Sequence, residues 1–360
     1  MQVAVHELGG SGVAMCGARD AIRRLARIAE HYTHVLVSHA DAEGLFKELA
    51  ALTTEITEPD TDLLALGLSQ PPLPRVRVIR YPTTRSVRDA LAPRPREAEG
   101  GMINAAELKA ALAGAMIETR YQPIVRISDR LPVGLEALAR LNHPDRGTIL
   151  PDRFVPQIED AGLAAELTRI VSAQAFADLN GPFLSQHDLR MSLNFPLDVL
   201  GATEALNILE EQREASAVPA SRVIIELTES RPVSDFDGLR QSLNHLRERG
   251  YGVAIDDVNP NVPQLDVLLD LPFTCLKFDK DIVQPSGGDP SMLDFVKHYT
   301  AEAKRRGMYV VAEGVETEEI WQQMAAFGID AAQGFLAARP LPVAAVPIWW
   351  DSWVGSQPTA

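Results

Sequence analysis

The chain has 360 residues, of which 46% are hydrophobic and 23% charged, and its formal charge is −15. That length exceeds one small domain and fits a barrel-sized domain beside a smaller one, and the composition is that of a globular protein. The acidic balance opposes general binding to DNA or to an anionic membrane, so any anionic substrate needs local cations to overcome the field.

Two cysteines, Cys16 and Cys275, stand far apart. They form neither a disulfide framework nor a metal-ligand spacing, which points to a reducing compartment. The first residues lack the charged and apolar regions of a signal peptide. No apolar run is long enough to span a bilayer. The expectation is a soluble cytoplasmic protein with no membrane insertion.

Residues 1–91 read as a small α/β unit, with helices over 18–30 and 40–56 and strands over 33–38 and 75–80. Its expected role is regulation, dimerisation or contact with a protein partner. His6, His31, His34 and His39 are scattered and read as surface residues. Residues 92–104 read as a linker, because Ala92–Gly101 combines prolines, glycines and mixed charges.

Residues 105–354 alternate between helix and strand patterns. Helices are expected over 105–119, 163–178, 203–215, 235–249, 291–306 and 317–327. Strands are expected over 121–125, 132–137, 190–194, 223–227, 252–256, 274–278, 308–312 and 332–335. Such alternation predicts a parallel sheet, and about eight strands over this length predict a TIM-like (β/α)8 barrel. The link from Arg126 to Leu131 is too short for a crossover helix, so its two strands should be antiparallel. Trp349, Trp350 and Trp353 read as capping the last helix of the barrel.

Polar residues close the apolar runs: Glu136, Asn194, Glu226, Asp256 with Asp257, Lys277, Glu313 and Gln333. Strand C-termini are where barrels carry chemistry. One strand-end carboxylate is usually a helix cap or a surface charge. Several converging in one mouth would repel each other unless cations neutralised them. Glu136, Asn194, Glu226 and Asp256 offer only oxygen ligands, which suits Mg²⁺ or Mn²⁺ better than zinc. Asp256 and Asp257 together could reach two metals, an arrangement suited to in-line phosphodiester hydrolysis. Lys277 would orient a water and stabilise phosphate charge, Glu313 is a candidate general base, and Gln333 a candidate orienter of water or substrate.

These residues also carry a resemblance. Tyr121-Gln122-Pro123-Ile124, Glu136-Ala137-Leu138 with Arg140, Glu226-Leu-Thr-Glu229, Ile255-Asp256-Asp257, Leu276-Lys277-Phe278-Asp279, Ala312-Glu313-Gly314-Val315-Glu316, Gln333-Gly334-Phe335 and Arg339-Pro-Leu-Pro342 follow one another in order. Together they resemble the EAL domain family over roughly residues 105–350. The resemblance implies a barrel that binds cyclic di-GMP and, in active members, hydrolyses it to linear pGpG with two Mg²⁺ or Mn²⁺ ions, commonly as a homodimer. It implies main metal ligands at Glu136, Asn194, Glu226 and Asp256, and a second-metal ligand at Asp257. Lys277, Glu313 and Gln333 match residues that position or activate water. Gln122, Arg140, Asp279 and Glu316 match substrate contacts, and Glu229 matches the glutamate that anchors the loop after the aspartates.

That loop departs from the family pattern. Val258-Asn259-Pro260-Asn261-Val262-Pro263-Gln264 stands where active members carry a glycine-rich, hydroxyl-rich stretch. Asn259 and Asn261 are expected to replace the glycines by adopting positive φ, while Pro260 and Pro263 stiffen the loop. The alternative to an enzyme is therefore a cyclic di-GMP receptor that does not hydrolyse its ligand. The N-terminal region carries no GGDEF signature and at most resembles a truncated, degenerate version of that domain.

Overall fold

The computed structural model describes residues 2–7, 13–17, 32–38, 62–66 and 76–79 of the first hundred, then 103–355 except 145, 197–202, 229–234 and 285–289. The chain divides into two compact units, Met1–Gly101 with Leu341–Ser356, and Met102–Pro340.

The first unit holds a five-stranded sheet. Strand β1 (Gln2–Glu7) pairs antiparallel with β2 (Val13–Gly17) and β3 (Tyr32–Ser38). Then β4 (Asp62–Leu66) and β5 (Val76–Ile79) add in parallel beyond β3. The strands expected at 33–38 and 75–80 are present. The helices expected over 18–30 and 40–56 lie outside the described residues, as does the linker up to 102.

The second unit opens with α1 (Ala105–Ala113). Asn104 caps it by accepting from the Ala106 and Glu107 amides, and Glu107 reaches back to the Asn104 amide. The helix expected over 105–119 stops at 113, because Ala115 turns left-handed at φ 53° and the Met116 amide bonds back to the Ala111 carbonyl. Residues from Ile117 onward instead join the first barrel strand.

Eight strands close the barrel: β6 (Ile117–Arg126), β7 (Pro132–His143), β9 (Arg190–Pro196), β10 (Val223–Thr228), β11 (Gly252–Val258), β12 (Cys275–Phe278), β13 (Tyr309–Ala312) and β14 (Ala331–Gln333). A short strand, β8 (Gly147–Ile149), adds to the outer edge of β7. From β7 through β14 the ring is parallel, and β6 closes it by pairing antiparallel with both β7 and β14. The antiparallel start follows from the short link between β6 and β7, as expected.

Helices α2 (Pro151–Asp160), α3 (Ala164–Leu179), α4 (Thr203–Ala215), α5 (Phe236–Glu248), α6 (Leu265–Leu269), α7 (Lys280–Val283), α8 (Pro290–Arg305) and α9 (Glu318–Ala326) connect the strands. The terminal helix α10 (Val346–Val354) groups with the first unit, whereas the sequence reading assigned it to the barrel. Its tryptophan pattern shows an apolar face without showing which neighbour covers it. Among the described residues no helix is long and apolar enough to cross a membrane.

Inside the barrel, Ile124, Ala254, Cys275, Val311 and Ala331 form a buried apolar floor. Side chains alternate along a strand, so the residue two positions on shares the same inward face. Above Ala254 stands Asp256, above Cys275 stands Lys277, above Val311 stands Glu313, and above Ala331 stands Gln333. On the reversed strand β6, Gln122 takes the same place relative to Ile124.

Candidate active site

Lys277 is the hub of the mouth. It is 1% exposed, and its Nζ lies 2.9 Å from Glu226 Oε2, 2.9 Å from Asp256 Oδ1, 2.5 Å from Glu313 Oε1 and 3.7 Å from Glu136 Oε2. Burial alone would lower the lysine's pKa, but these carboxylates outweigh it and hold the ammonium well above its ordinary value. Burial pushes the Glu226 carboxyl up to about 8 against the pull of Lys277. Burial likewise raises Asp256 and Glu313. One ammonium thus faces four carboxylates, an excess of negative charge that suits further cations.

A chain of amides orders the opposite wall. Gln122 donates to the Ala338 carbonyl at 3.1 Å and accepts from Gln333 Nε2 at 3.0 Å. The same Gln333 nitrogen donates to Glu136 Oε2 at 2.5 Å, and Asn194 Nδ2 donates to Glu136 Oε1 at 2.7 Å. Gln333 Oε1 is buried with no hydrogen-bond partner, an acceptor left for something in the mouth.

The adjacent aspartates reach the mouth through a β-bulge. Ile255 pairs with Leu276 and Val258 with Phe278, so Asp256 and Asp257 together oppose the single residue Lys277. Strict alternation would turn Asp257 to the outer face. Its left-handed backbone, φ 52°, re-aims it instead. Desolvation of its carboxyl among its neighbours, with the nearby Asp256 and Asp279 charges, pushes Asp257 up to about 6.

Two groups of carboxylates emerge, Glu136 with Glu226 and Asp256, and Asp256 with Asp257 and Glu313. Within each, one oxygen per residue lies within 4.8 Å of the others. The all-oxygen donor sets, the shared Asp256 and the unpartnered Gln333 oxygen fit two hard divalent cations. The expected ligand Asn194 stands beside the first group on β9, opposite Glu226 in register.

The altered loop is held differently from its expected form. Asn259 and Asn261 do not adopt positive φ; the left-handed residues there are Asp257 and Gln264. Asn259 instead works through its side chain. Its Nδ2 donates to the Asp257 carbonyl at 2.9 Å and lies 3.4 Å from Asp279 Oδ2, while its Oδ1 accepts from the Asn261 amide at 2.9 Å. Sequence reading took Asn259 for a glycine substitute and missed this clamp; an Asn followed two residues later by a free amide was the available signal.

The other expected substrate contacts are distributed around the rim. Asp279 caps α7 by accepting from the Asp281 amide at 2.9 Å. Arg140 lies on the same face of β7 as Glu136 and donates to the Ala139 carbonyl. Glu316 is half-buried beyond Gly314. Glu229 lies outside the described residues. The motif glycines reflect crowding. A Cβ on Gly334 would strike the backbone of Val315, and one on Gly314, at φ 67°, would strike Lys280.

The same inward face of β6 continues past Gln122 to Arg120 and Glu118. The outward residues Thr119 and Tyr121 anchor on α3, where Thr119 Oγ1 donates to Gln174 at 2.7 Å and Tyr121 OH donates to Asp178 at 2.5 Å. Arg120 therefore shares the face of Gln122, opposite Leu138 of β7, and its Nε lies 3.3 Å from Glu118 Oε1. Glu118 Oε2 accepts from Asn142 at 2.7 Å.

Together these features make a closed barrel whose mouth gathers carboxylates around a buried lysine. The chain belongs to the EAL domain family, which matches residues 105–340. It is 32% identical over 241 residues to the cyclic di-GMP phosphodiesterase NbdA of Pseudomonas aeruginosa, covering 67% of this chain and 31% of NbdA. It is 29% identical over 249 residues to the cyclic di-GMP phosphodiesterase RocR of the same organism, covering 69% of this chain and 64% of RocR. Among solved structures, the PaMucR phosphodiesterase in complex with c-di-GMP superposes with a TM-score of 0.62 at 28% identity, covering 66% of this chain and 96% of that one. The match spans about a third of the length of NbdA and of the E. coli oxygen sensor protein DosP.

Proposed function

We propose that this protein hydrolyses cyclic di-GMP to linear pGpG with the help of Mg²⁺ or Mn²⁺. The observation that carries the reading is the pair of carboxylate groups sharing Asp256 beside Lys277. Relatives named for this activity and a neighbour solved with c-di-GMP support it.

Glu136, Glu226 and Asp256 with Asn194 would hold one ion, and Asp256, Asp257 and Glu313 the other. Bound there, divalent ions supply Lewis-acid charge to the phosphate and lower the pKa of water. The residues of the chain do the rest. Lys277, held among Glu226, Asp256 and Glu313, places a positive charge beside the oxygens that gain charge on phosphorus. A Glu313 carboxylate oxygen accepts the proton of the attacking water. The water oxygen bonds to phosphorus in line with the 3′-oxygen, whose bond to phosphorus breaks. Gln122 and Gln333 fix the Glu136 wall, while Arg140, Asp279 and Glu316 contact the nucleotide and Glu229 steadies the loop. A homodimer, a cytoplasmic location and a protein partner for the N-terminal unit belong to the same proposal.

The receptor reading rests on the altered loop. Against it, Asn259 clamps the bulge and Asp257 keeps its place in the second carboxylate group. The test is to incubate the protein with cyclic di-GMP and Mn²⁺ or Mg²⁺ and chromatograph the products, with Glu136→Ala alongside. Linear pGpG from the native protein alone is expected. Binding by calorimetry without product would select the receptor.

A further inference from the structure

We infer that Arg120 is a specificity-determining residue, a fork that grips the phosphate of the cyclic dinucleotide that is not cut. The inference rests on the functional reading above and deepens it.

Three observations place Arg120. First, its strand face is fixed. Thr119 and Tyr121 are buried outward against α3, and β6 pairs with β7 without irregularity from Ile117 to Ile124. Arg120 must then share the inward face of Gln122, whose amide belongs to the Glu136 wall. Second, its height is fixed. Gln122 is opposite Glu136, Arg120 opposite Leu138 and Glu118 opposite Arg140. One rung of a strand is about 6.6 Å, so Arg120 stands one rung above the metal-ligand row and one rung below Arg140. Third, its orientation is set at one atom. Nε faces Glu118, and the side chain is 12% exposed. Among the described residues its two terminal nitrogens have no partner.

The chemistry follows. The mouth is acidic, yet the substrate carries two phosphates. The metal row and Lys277 answer the phosphate being cut. The second needs a cation of its own, and Arg120 stands one rung from the metal-ligand row. A guanidinium with Nε occupied still presents two parallel N–H donors, the geometry that matches paired phosphate oxygens. Glu118, held by Asn142, orients the fork without occupying its end.

The test compares the native protein with Arg120→Ala and Arg120→Lys on two substrates, cyclic di-GMP and bis(p-nitrophenyl) phosphate, which has no second phosphate. Loss of one charge-assisted bond corresponds to roughly a tenfold or greater loss of affinity. The expected result for Arg120→Ala is a KM for cyclic di-GMP raised about tenfold with kcat within about threefold. Cleavage of bis(p-nitrophenyl) phosphate stays at the native rate, and Arg120→Lys recovers part of the loss. An unchanged KM for cyclic di-GMP overturns the inference. Equal losses on both substrates also overturn it, because they assign Arg120 to support of the metal row. Native protein that cleaves neither substrate and does not bind cyclic di-GMP refutes the functional reading itself, a result separable from the Arg120 comparison.

Discussion

The floor of the barrel and the mouth above it are built on the same strands, one rung apart, and obey opposite rules. Ala254, Cys275, Val311 and Ala331 are small or branched apolar residues that fill the barrel. Asp256, Lys277, Glu313 and Gln333, each two residues later, are buried or half-buried polar groups held by ion pairs and hydrogen bonds. Apolar burial stabilises without direction, whereas buried charges demand partners and carry a desolvation cost. The floor therefore makes the fold, and the mouth strains it in return for a site that can bind cations and an anionic ester.

Substitutions in the mouth should act on chemistry and those in the floor on stability. Glu136→Ala should have the largest effect. It removes a carboxylate bonded to both Asn194 and Gln333, and kcat for cyclic di-GMP should fall about a thousandfold or more. Near-native turnover would dissolve the distinction between the two rungs. Lys277→Met should come next, since it leaves four carboxylates facing one another without their ammonium. The metal-stripped variant should lose about 3 kcal/mol of stability, and added Mn²⁺ should raise its Tm more than it raises that of the native protein. A smaller Mn²⁺ response in the variant would argue that Lys277 does not neutralise the mouth.

Val311→Ala tests the floor. It should cost about 2 kcal/mol in denaturant unfolding while leaving KM for cyclic di-GMP within about twofold of the native value. A changed KM with unchanged stability would reverse the roles. The smallest effect is expected from Asn259→Ala, which frees the Asp257 carbonyl and the bulge. Loss of one such hydrogen bond, about 1 kcal/mol, should weaken the weaker of two Mn²⁺ binding events several-fold in a calorimetric titration. Two unaltered binding events would show that the bulge holds without the clamp.

Much of the candidate site was legible before folding because parallel strands display it at their ends. Glu226, Asp256, Lys277, Glu313 and Gln333 each end an apolar run, Glu136 interrupts one that continues along β7 to His143, and the structure brings the six together. The strand over 223–227 and the helix over 203–215 matched closely, since both have strong periodicity and clear ends. The first barrel helix was overextended because residues 115–119 keep a helix-compatible composition, while the turn that ends the helix is a left-handed alanine, Ala115, that composition does not signal. Strand β8 and helix α2 were not foreseen; the first is three residues long and the second carries Pro156 in its interior.

The sequence by itself determined the inward polar set, the oxygen-only ligand chemistry, the antiparallel start and the barrel class, because these depend on residue type, on the order of helix and strand patterns and on the length of one link. Tertiary structure decided what spacing cannot express. It placed four carboxylates on one lysine, turned Asp257 inward through a bulge, gave Asn259 a clamp in place of a glycine's freedom, and set Arg120 one rung above the metal row. These features depend on register between strands far apart in sequence, and register is fixed only when the barrel closes.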